Sequence, residues 1–434
     1  MSFSGFIPFF FIPLHQILDF MKKYMILLAT SLLIGACGKD DNDTPDVPQD
    51  AERTVLIYMG ADNNLASLAN KDIKELKESS KLLNDLQNLI IYVDNTESTP
   101  PYIARVKDGV LVDSTSMEET LTADPAILEK MLRYTREKYH AKSYGLVLWG
   151  HADGWLIRND SIAYTRAYGV DTGQSKSYWM NIPSMARAIA NGMGSEHLQF
   201  IFADCCNFGC IESAYELRKV TDYLIASPAE IPDPGAPYDL VVPTLFNTSG
   251  TFYQSIVDAY YDYYIDYIPK VPSYIYNIVE GDLAGYSLPL VAIKSAELDN
   301  LAQATARLLS TIPDKLTPEG NFKFDDAFHY AYSNYMYAYD ICHILSMNTS
   351  ESDFNSWKPA FKKAVPYSRF SAKWLTGFRQ LAIDMNNSNV KADECGVVSM
   401  FFPRTLYKST TPNWNTAIQN FQWNNVIRWQ QYGW

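Results

Sequence analysis

Two short segments hold the side-chain types from which a nucleophile and an acid/base group can be assembled. One reads Gly150-His151-Ala152-Asp153-Gly154-Trp155; the other reads Asp204-Cys205-Cys206-Asn207-Phe208-Gly209-Cys210. Each directly follows an apolar run, Tyr144–Trp149 or Leu198–Ala203, with the composition of a strand buried on both faces. An imidazole just past such a strand is held by the sheet yet reachable, and it exchanges protons near neutral pH. Of the six histidines, only His151 has this setting. His140 ends a helical pattern, His197 precedes a strand, and His329 and His343 lie in patterns that read as helical. A loop histidine can also simply cap a turn. In the second segment a helix is expected from Ile211. A thiol near its start would feel the positive end of the helix dipole, which lowers a thiol pKa. Backbone N–H groups of the same turn could face an oxyanion. Cys205, Cys206 and Cys210 are therefore all candidates. An inert buried thiol remains the competing reading for Cys205, Cys210, Cys342 and Cys395. Cys342 with Cys395 is the pair to examine for a disulfide. A metal centre is not indicated, because no Cys-x-x-Cys pair or suitably spaced histidines accompany the cluster.

The elements around these segments alternate. Thr54–Met59 and Leu89–Val93 read as buried strands on either side of a helix over 65–83. Lys107-Asp108-Gly109 joins two short strands as a hairpin. Asp124-Pro125 opens a helix with a capping side chain and a proline in its first turn. A helix is expected over 183–190, another from Ile211 to about Lys219, and a strand over 223–226. Alternating buried strands and helices imply an α/β fold with a mostly parallel central sheet between helical layers. Ligands of such sheets sit beyond the carboxyl ends of the strands, where both segments fall. The second half is less regular. Tyrosine-rich stretches at 259–267 and 329–339 read as helices whose rings are partly buried, with a sugar-stacking platform as the alternative. Gly396–Pro403 reads as a late core strand and Phe421–Tyr432 as a closing helix.

Composition narrows the setting. With 434 residues, 47% of them hydrophobic, the chain can bury a full core. A net charge of -13 without a Lys/Arg cluster disfavours nucleic acid as a partner; it suits a cationic substrate, although ordinary solubility of an acidic exported protein explains the bulk of it. From Met21, the expected true start, the order is Lys22-Lys23, an apolar run over 25–33 and Ile34-Gly35-Ala36-Cys37. This resembles a bacterial lipoprotein signal, which implies lipidation at Cys37, export to the cell envelope and a membrane partner through the lipid. Residues 38–52 carry Val47 as their single large apolar side chain and are expected to act as a flexible acidic tether, compatible with display on the outer-membrane surface. The folded domain is expected over 53–434, with its core at about 54–240 and a C-terminal part at about 241–434.

Three fragments carry a closer resemblance: Leu146-Val-Leu-Trp-Gly-His151, Phe202-Ala-Asp-Cys-Cys206, and Glu212-Ser-Ala-Tyr-Glu-Leu217. They resemble the signature segments of the clostripain-like (C11) cysteine peptidases. Weaker matches are Thr54 to Leu65, with its Asp62-Asn-Asn loop, Asp222 to Glu230, and Gly396 to Pro403. The resemblance is good over about 54–240 and patchy beyond. It implies a caspase-like α/β/α sandwich and a cysteine endopeptidase that uses a Cys–His dyad without a required cofactor. Calcium is compatible with the family but has no support in these residues. The family register selects Cys206 as nucleophile, His151 as its partner, and Ala152 and Cys206 as backbone oxyanion donors. It places Asp204 at the base of the S1 pocket, favouring protein or peptide substrates with Arg or Lys at P1. A helix N-cap is the competing role for Asp204. Ala152 stands where the family usually has glycine, and Pro228 and Ala229 stand where polar residues are common. Some members are cleaved in the loop after the histidine, where this chain offers Arg158, Arg166 and Lys176. The rival readings are an inactive glycan- or peptide-binding surface lipoprotein and a thiol amidase that is not a peptidase.

Overall fold

The computed structural model describes residues 50–434 apart from 96–99, 119–120, 157–167, 170–177, 271–283, 332–336, 387 and 411. The signal, Cys37 and most of the tether therefore lie outside the described residues, as do Arg158, Arg166 and Lys176.

A nine-stranded sheet runs in the order β10-β8-β7-β6-β5-β1-β2-β3-β4. In chain order its members are β1 (Arg53–Gly60), β2 (Gln87–Asp94), β3 (Tyr102–Lys107), β4 (Val110–Ser116), β5 (Tyr144–Gly150), β6 (Leu198–Asp204), β7 (Thr221–Ala226), β8 (Leu290–Lys294) and β10 (Tyr367–Arg369). Strands β2, β1, β5, β6 and β7 are parallel neighbours. The hairpin β3–β4 closes one edge, and the antiparallel strands β8 and β10 close the other. The central strands are apolar throughout because both faces are covered. In β1, Leu56 and Tyr58 enter one core, while Val55, Ile57 and Met59 enter the other. Helices α1 (Ala66–Ser80), α5 (Tyr238–Leu245) and α6 (Phe252–Tyr267) pack on the second face. Helices α2 (Pro125–Lys138), α3 (Ile182–Met193), α4 (Ile211–Leu217), α7 (Leu298–Leu309) and α11 (Gln422–Ile427) pack on the first. Asp124 caps α2 by accepting from the Ala126 N–H at 2.9 Å, as its position before Pro125 predicts.

The regular first half matches the expected elements closely; the second half departs from them. Residues 259–267 do lie in α6, but the described parts of 329–339 are not helical. Tyr330 N–H donates to Ala338 O at 2.8 Å and Asp340 N–H to Phe328 O at 2.8 Å, an antiparallel pairing that leads into strand β9 (Tyr339–Asp340). Aromatic residues serve strands as well as helices, and here the tertiary pairing decides. His329 therefore sits in an isolated bridge with Tyr339, outside any helix. The late core strand shrinks to Ser399–Met400, which pairs with β9. The closing helix stops at Ile427, where Arg428 turns left-handed at φ 55°. Cys342 and Cys395 are unbonded thiols.

Candidate active site

Strand register brings the two chemical segments together. Gly60 of β1 pairs with Gly150 of β5, and Trp149 of β5 pairs with Asp204 of β6. Parallel neighbours lie about 4.8 Å apart. His151 and Cys206, each two residues beyond the Trp149/Asp204 pair, thus emerge side by side. The chain leaves β1 toward β2 on one side and returns as β5 on the other, so β1 and β5 flank a topological switch point. The loop after β1 meets the loop after β5 there: Asn64 Oδ1 lies 2.8 Å from His151 Nε2. With the amide oxygen accepting, Nε2 carries the hydrogen and proton exchange falls to Nδ1. Gly150 has φ 141°, and a Cβ there would come within 2.9 Å of Gly60 O, so the turn into His151 requires glycine.

A cleft of about 320 Å³ opens over these strand ends. His151, Ala152, Asp204 and Cys206 all line it, together with Asn64, Trp149, Asp153, Cys205, Glu230, Asp233 and Gly235. Four carboxylates face the cleft (Asp153, Asp204, Glu230 and Asp233), and no Lys or Arg is among its described lining residues. Cys206 is partly exposed, whereas Cys205 is 2% exposed and packs into the core. Cys210 is buried and donates to Ser213 Oγ at 3.0 Å. The three candidate thiols are thereby separated by access.

The expected helix-dipole effect on Cys206 is not what the structure provides. Helix α4 begins at Ile211 with Cys210 as its cap, so residues 206–209 form a loop and the helix is two turns long. Two of the N–H groups in that loop are already used: Asn207 donates to Ala229 O at 2.9 Å and Gly209 to Ser227 O at 2.7 Å. Burial, followed by the Glu230 carboxylate, pushes the Cys206 thiol up to about 12; the Ile231 N–H, 3.3 Å from Sγ, acts in the opposite direction. The loop is instead held by Asn207, whose φ of 57° suits asparagine. Its side-chain amide donates to Asp153 Oδ1 at 3.1 Å, linking the loops after β5 and β6. Gly154 completes that contact, since a Cβ at its φ of 62° would fall 2.4 Å from Asn207 O.

Ala152 is not among the residues with positive φ, so replacing the family's usual glycine introduces no strain here. Pro228 and Ala229 lie under the loop and do not line the cleft, which begins at Glu230 on that side. Asp204 is no helix cap. Its Oδ1 accepts from Tyr260 O–H at 2.9 Å, and its Oδ2 accepts from Tyr238 O–H at 3.0 Å and Ala236 N–H at 3.3 Å. Tyr260 belongs to the first tyrosine-rich stretch, and its hydroxyl points inward to this carboxylate. Sequence reading left Asn64, Asp153 and Asn207 without roles. The position of Asn64 in the loop after the first parallel strand was the available signal.

Burial raises the Asp204 carboxyl to about 6 despite these donors. A carboxyl raised in the folded state stabilises the fold below its unfolded value of about 4, and this contribution is lost as pH rises through about 6. Asp204→Asn is therefore expected to be more stable than the parent at pH 7.5, by up to about 3 kcal/mol, and so to unfold at a higher temperature, with the gain gone by pH 4. Thermal denaturation across this range checks it; a pH-independent loss of stability would contradict it.

Comparison with known proteins agrees with this geometry. The model of the clostripain family matches residues 57–431. Clostripain of Hathewaya histolytica is 25% identical over 229 residues, covering 46% of this chain; the match spans 43% of that protein, less than half its length. A secreted C11 cysteine protease from Bacteroides thetaiotaomicron, solved with an irreversible peptide inhibitor, has a TM-score of 0.71 and 27% identity over 88% of this chain and 99% of its own. An inactive zymogen C11 protease from Parabacteroides distasonis shares the fold at a TM-score of 0.67 and 24% identity, again over 88% and 99%. The sheet, its covering helices and these matches together show that this chain has the caspase-like fold and belongs to the clostripain (C11) family of cysteine peptidases.

Proposed function

We propose that this protein is an exported cysteine endopeptidase that cleaves after Arg or Lys, with Cys206 as nucleophile and His151 as acid/base. The observation that carries the reading is the cleft itself. The one partly exposed thiol of the Cys205/Cys206/Cys210 group and the one strand-end imidazole share it, and carboxylates line it without described basic residues.

The chemistry follows from the residues. Cys206 Sγ attacks the scissile carbonyl carbon as its proton passes to His151, forming the C–S bond. His151 returns that proton to the leaving nitrogen as the C–N bond breaks. Water, deprotonated by His151, then displaces the thioester sulfur, which recovers a proton. The backbone N–H groups of Ala152 and Cys206 are the proposed oxyanion donors, such donors being worth about 3 kcal/mol each. Asn64 acts through His151, holding the ring by its Nε2. A P1 cation resting on Asp204 gains a charge-assisted contact. It also offsets the carboxylates that keep the thiol neutral, so that the nucleophile becomes easier to ionise once a basic residue is seated. Export is supported by the signal-like N-terminus and by the secreted Bacteroides thetaiotaomicron relative. Lipidation at Cys37 and anchoring in the cell envelope rest on the signal pattern.

Cleavage of a denatured-proteome peptide library is expected to occur after Arg and Lys, and to disappear in Cys206→Ala and His151→Ala. Cuts after other residues would overturn the assigned specificity. Asn64→Ala is expected to lower kcat about 10- to 100-fold with KM little changed, the range seen for groups that orient a reactive histidine, and to shift the pH profile of kcat. An effect on KM alone would remove the positioning role. Cys37→Ser should move the protein from the membrane fraction to the soluble fraction; unchanged fractionation would rule out the lipid anchor.

A further inference from the structure

Behind the cleft wall, on the face of the sheet that carries Asp204, lies a second buried carboxylate with no assigned role. Asp72 is on α1 and is 1% exposed. Its Oδ2 accepts from the Trp149 indole N–H at 2.8 Å, and Trp149 lines the cleft. Its Oδ1 is buried and has no hydrogen-bond donor. The nearest cation, Lys71 Nζ, is 3.9 Å away, half-exposed, and engaged with Glu75 at 2.8 Å. One turn on from Asp72, Glu75 accepts from Tyr238 N–H at 3.1 Å, and the hydroxyl of the same tyrosine donates to Asp204. Asp72, Glu75 and Asp204 thus surround Trp149 and Tyr238.

We propose that Asp72 is a specificity-determining positioning residue for the S1 subsite: it fixes the Trp149 wall and supplies a second negative charge behind Asp204 when a cationic P1 side chain is bound. The inference rests on the basic-P1 reading above and extends it to a residue outside the cleft lining. A carboxyl is not needed merely to orient an indole, since an amide oxygen would accept the same hydrogen bond and cannot ionise. A buried carboxylate with an orphan oxygen and a carboxylate neighbour is instead a site short of one positive charge.

Among the described residues, the titratable groups that act on Asp72 are Lys71 and Glu75 on its own helix, Asp204 on β6 and Tyr238 on α5, while Tyr263 on α6 faces Lys71 and Glu75. Trp149 on β5 adds a neutral donor. Burial, then the Asp204 charge, raises the Asp72 carboxyl to about 8, so it favours the protonated form at neutral pH. A guanidinium near Asp204 favours its ionisation. Cation binding therefore releases a proton and strengthens as pH rises through the range where Asp72 titrates.

The test compares the parent protein with Asp72→Asn, which keeps an acceptor for Trp149. Benzamidine and agmatine serve as guanidinium-type probes, and peptides with P1 Arg serve as substrates. For the parent, probe affinity is expected to rise about tenfold between pH 6.5 and 8.5. In Asp72→Asn it should be flat above pH 7, with KM for P1-Arg peptides raised about tenfold and kcat within a factor of two. Trp149→Phe, which removes the indole donor but leaves the charge, should retain the pH-dependent gain. Indistinguishable probe affinities and pH profiles in the parent and Asp72→Asn would overturn the proposal while leaving the basic-P1 reading intact. A parent that binds neither probe and cleaves after uncharged residues would overturn both. Asp72→Glu, which restores a carboxylate, provides the second arm: partial recovery of the pH-dependent gain supports the charge role, and no recovery in a variant that unfolds at the parent's temperature counts against it.

Discussion

The candidate site depends on one constraint, the register of three adjacent parallel strands. Gly60, Gly150 and the residues after Trp149 and Asp204 reach the edge of the sheet in line. The candidate chemical groups stand just beyond that line: His151 directly after β5, Cys206 two residues after β6, and Asn64 four residues after β1. A one-residue slip of β6 against β5 would turn Cys206 to the other face and present Cys205 instead. The full burial of both faces forbids the slip, because Phe200 and Phe202 enter one core while Ile201 and Ala203 enter the other. The hydrophobic pattern of the strand thereby fixes which of the two thiols reaches the cleft.

The electrostatics of the cleft oppose stability and suit the proposed substrate. Asp204 and Asp72 are buried carboxyls whose hydrogen bonds come from neutral donors, Tyr238, Tyr260, Ala236 and Trp149. Both are pushed upward, chiefly by burial. A fold that needed only stability would place apolar or amide side chains there. The same arrangement raises the Cys206 thiol, since burial and then the nearby Glu230, Asp153 and Asp204 charges all disfavour the thiolate. A seated cation reverses the electrostatic part of that balance. Ground-state strain of this kind, relieved by the ligand, is a common reason for functional sites to be less stable than they could be.

The sequence made the parallel core legible because each buried strand is a continuous apolar run, each helix has a readable period, and caps such as Asp124-Pro125 mark where helices begin. It also made His151 a candidate, as the one histidine just past a buried strand, with turn capping as the competing role. Composition alone could not choose among Cys205, Cys206 and Cys210. That choice turns on which thiol escapes the core, and the family register agrees with it. The expected dipole activation of Cys206 failed because the thiol lies five residues before the helix start at Ile211, in a loop bound to Ser227 and Ala229. The stretch at 329–339 misled because tyrosines have no period of their own. Asn64 and Asp72 were not visible as site residues because their roles come from the crossing of separate elements, at His151 and at Trp149.

The most direct test of the account is to identify the residue modified when the protein is treated briefly with a peptide electrophile carrying Arg at P1. Mass spectrometry is expected to find a single adduct on Cys206 in the parent protein and none in His151→Ala. An adduct on Cys205 or Cys210, or labelling of Cys206 that is indifferent to His151, would contradict it.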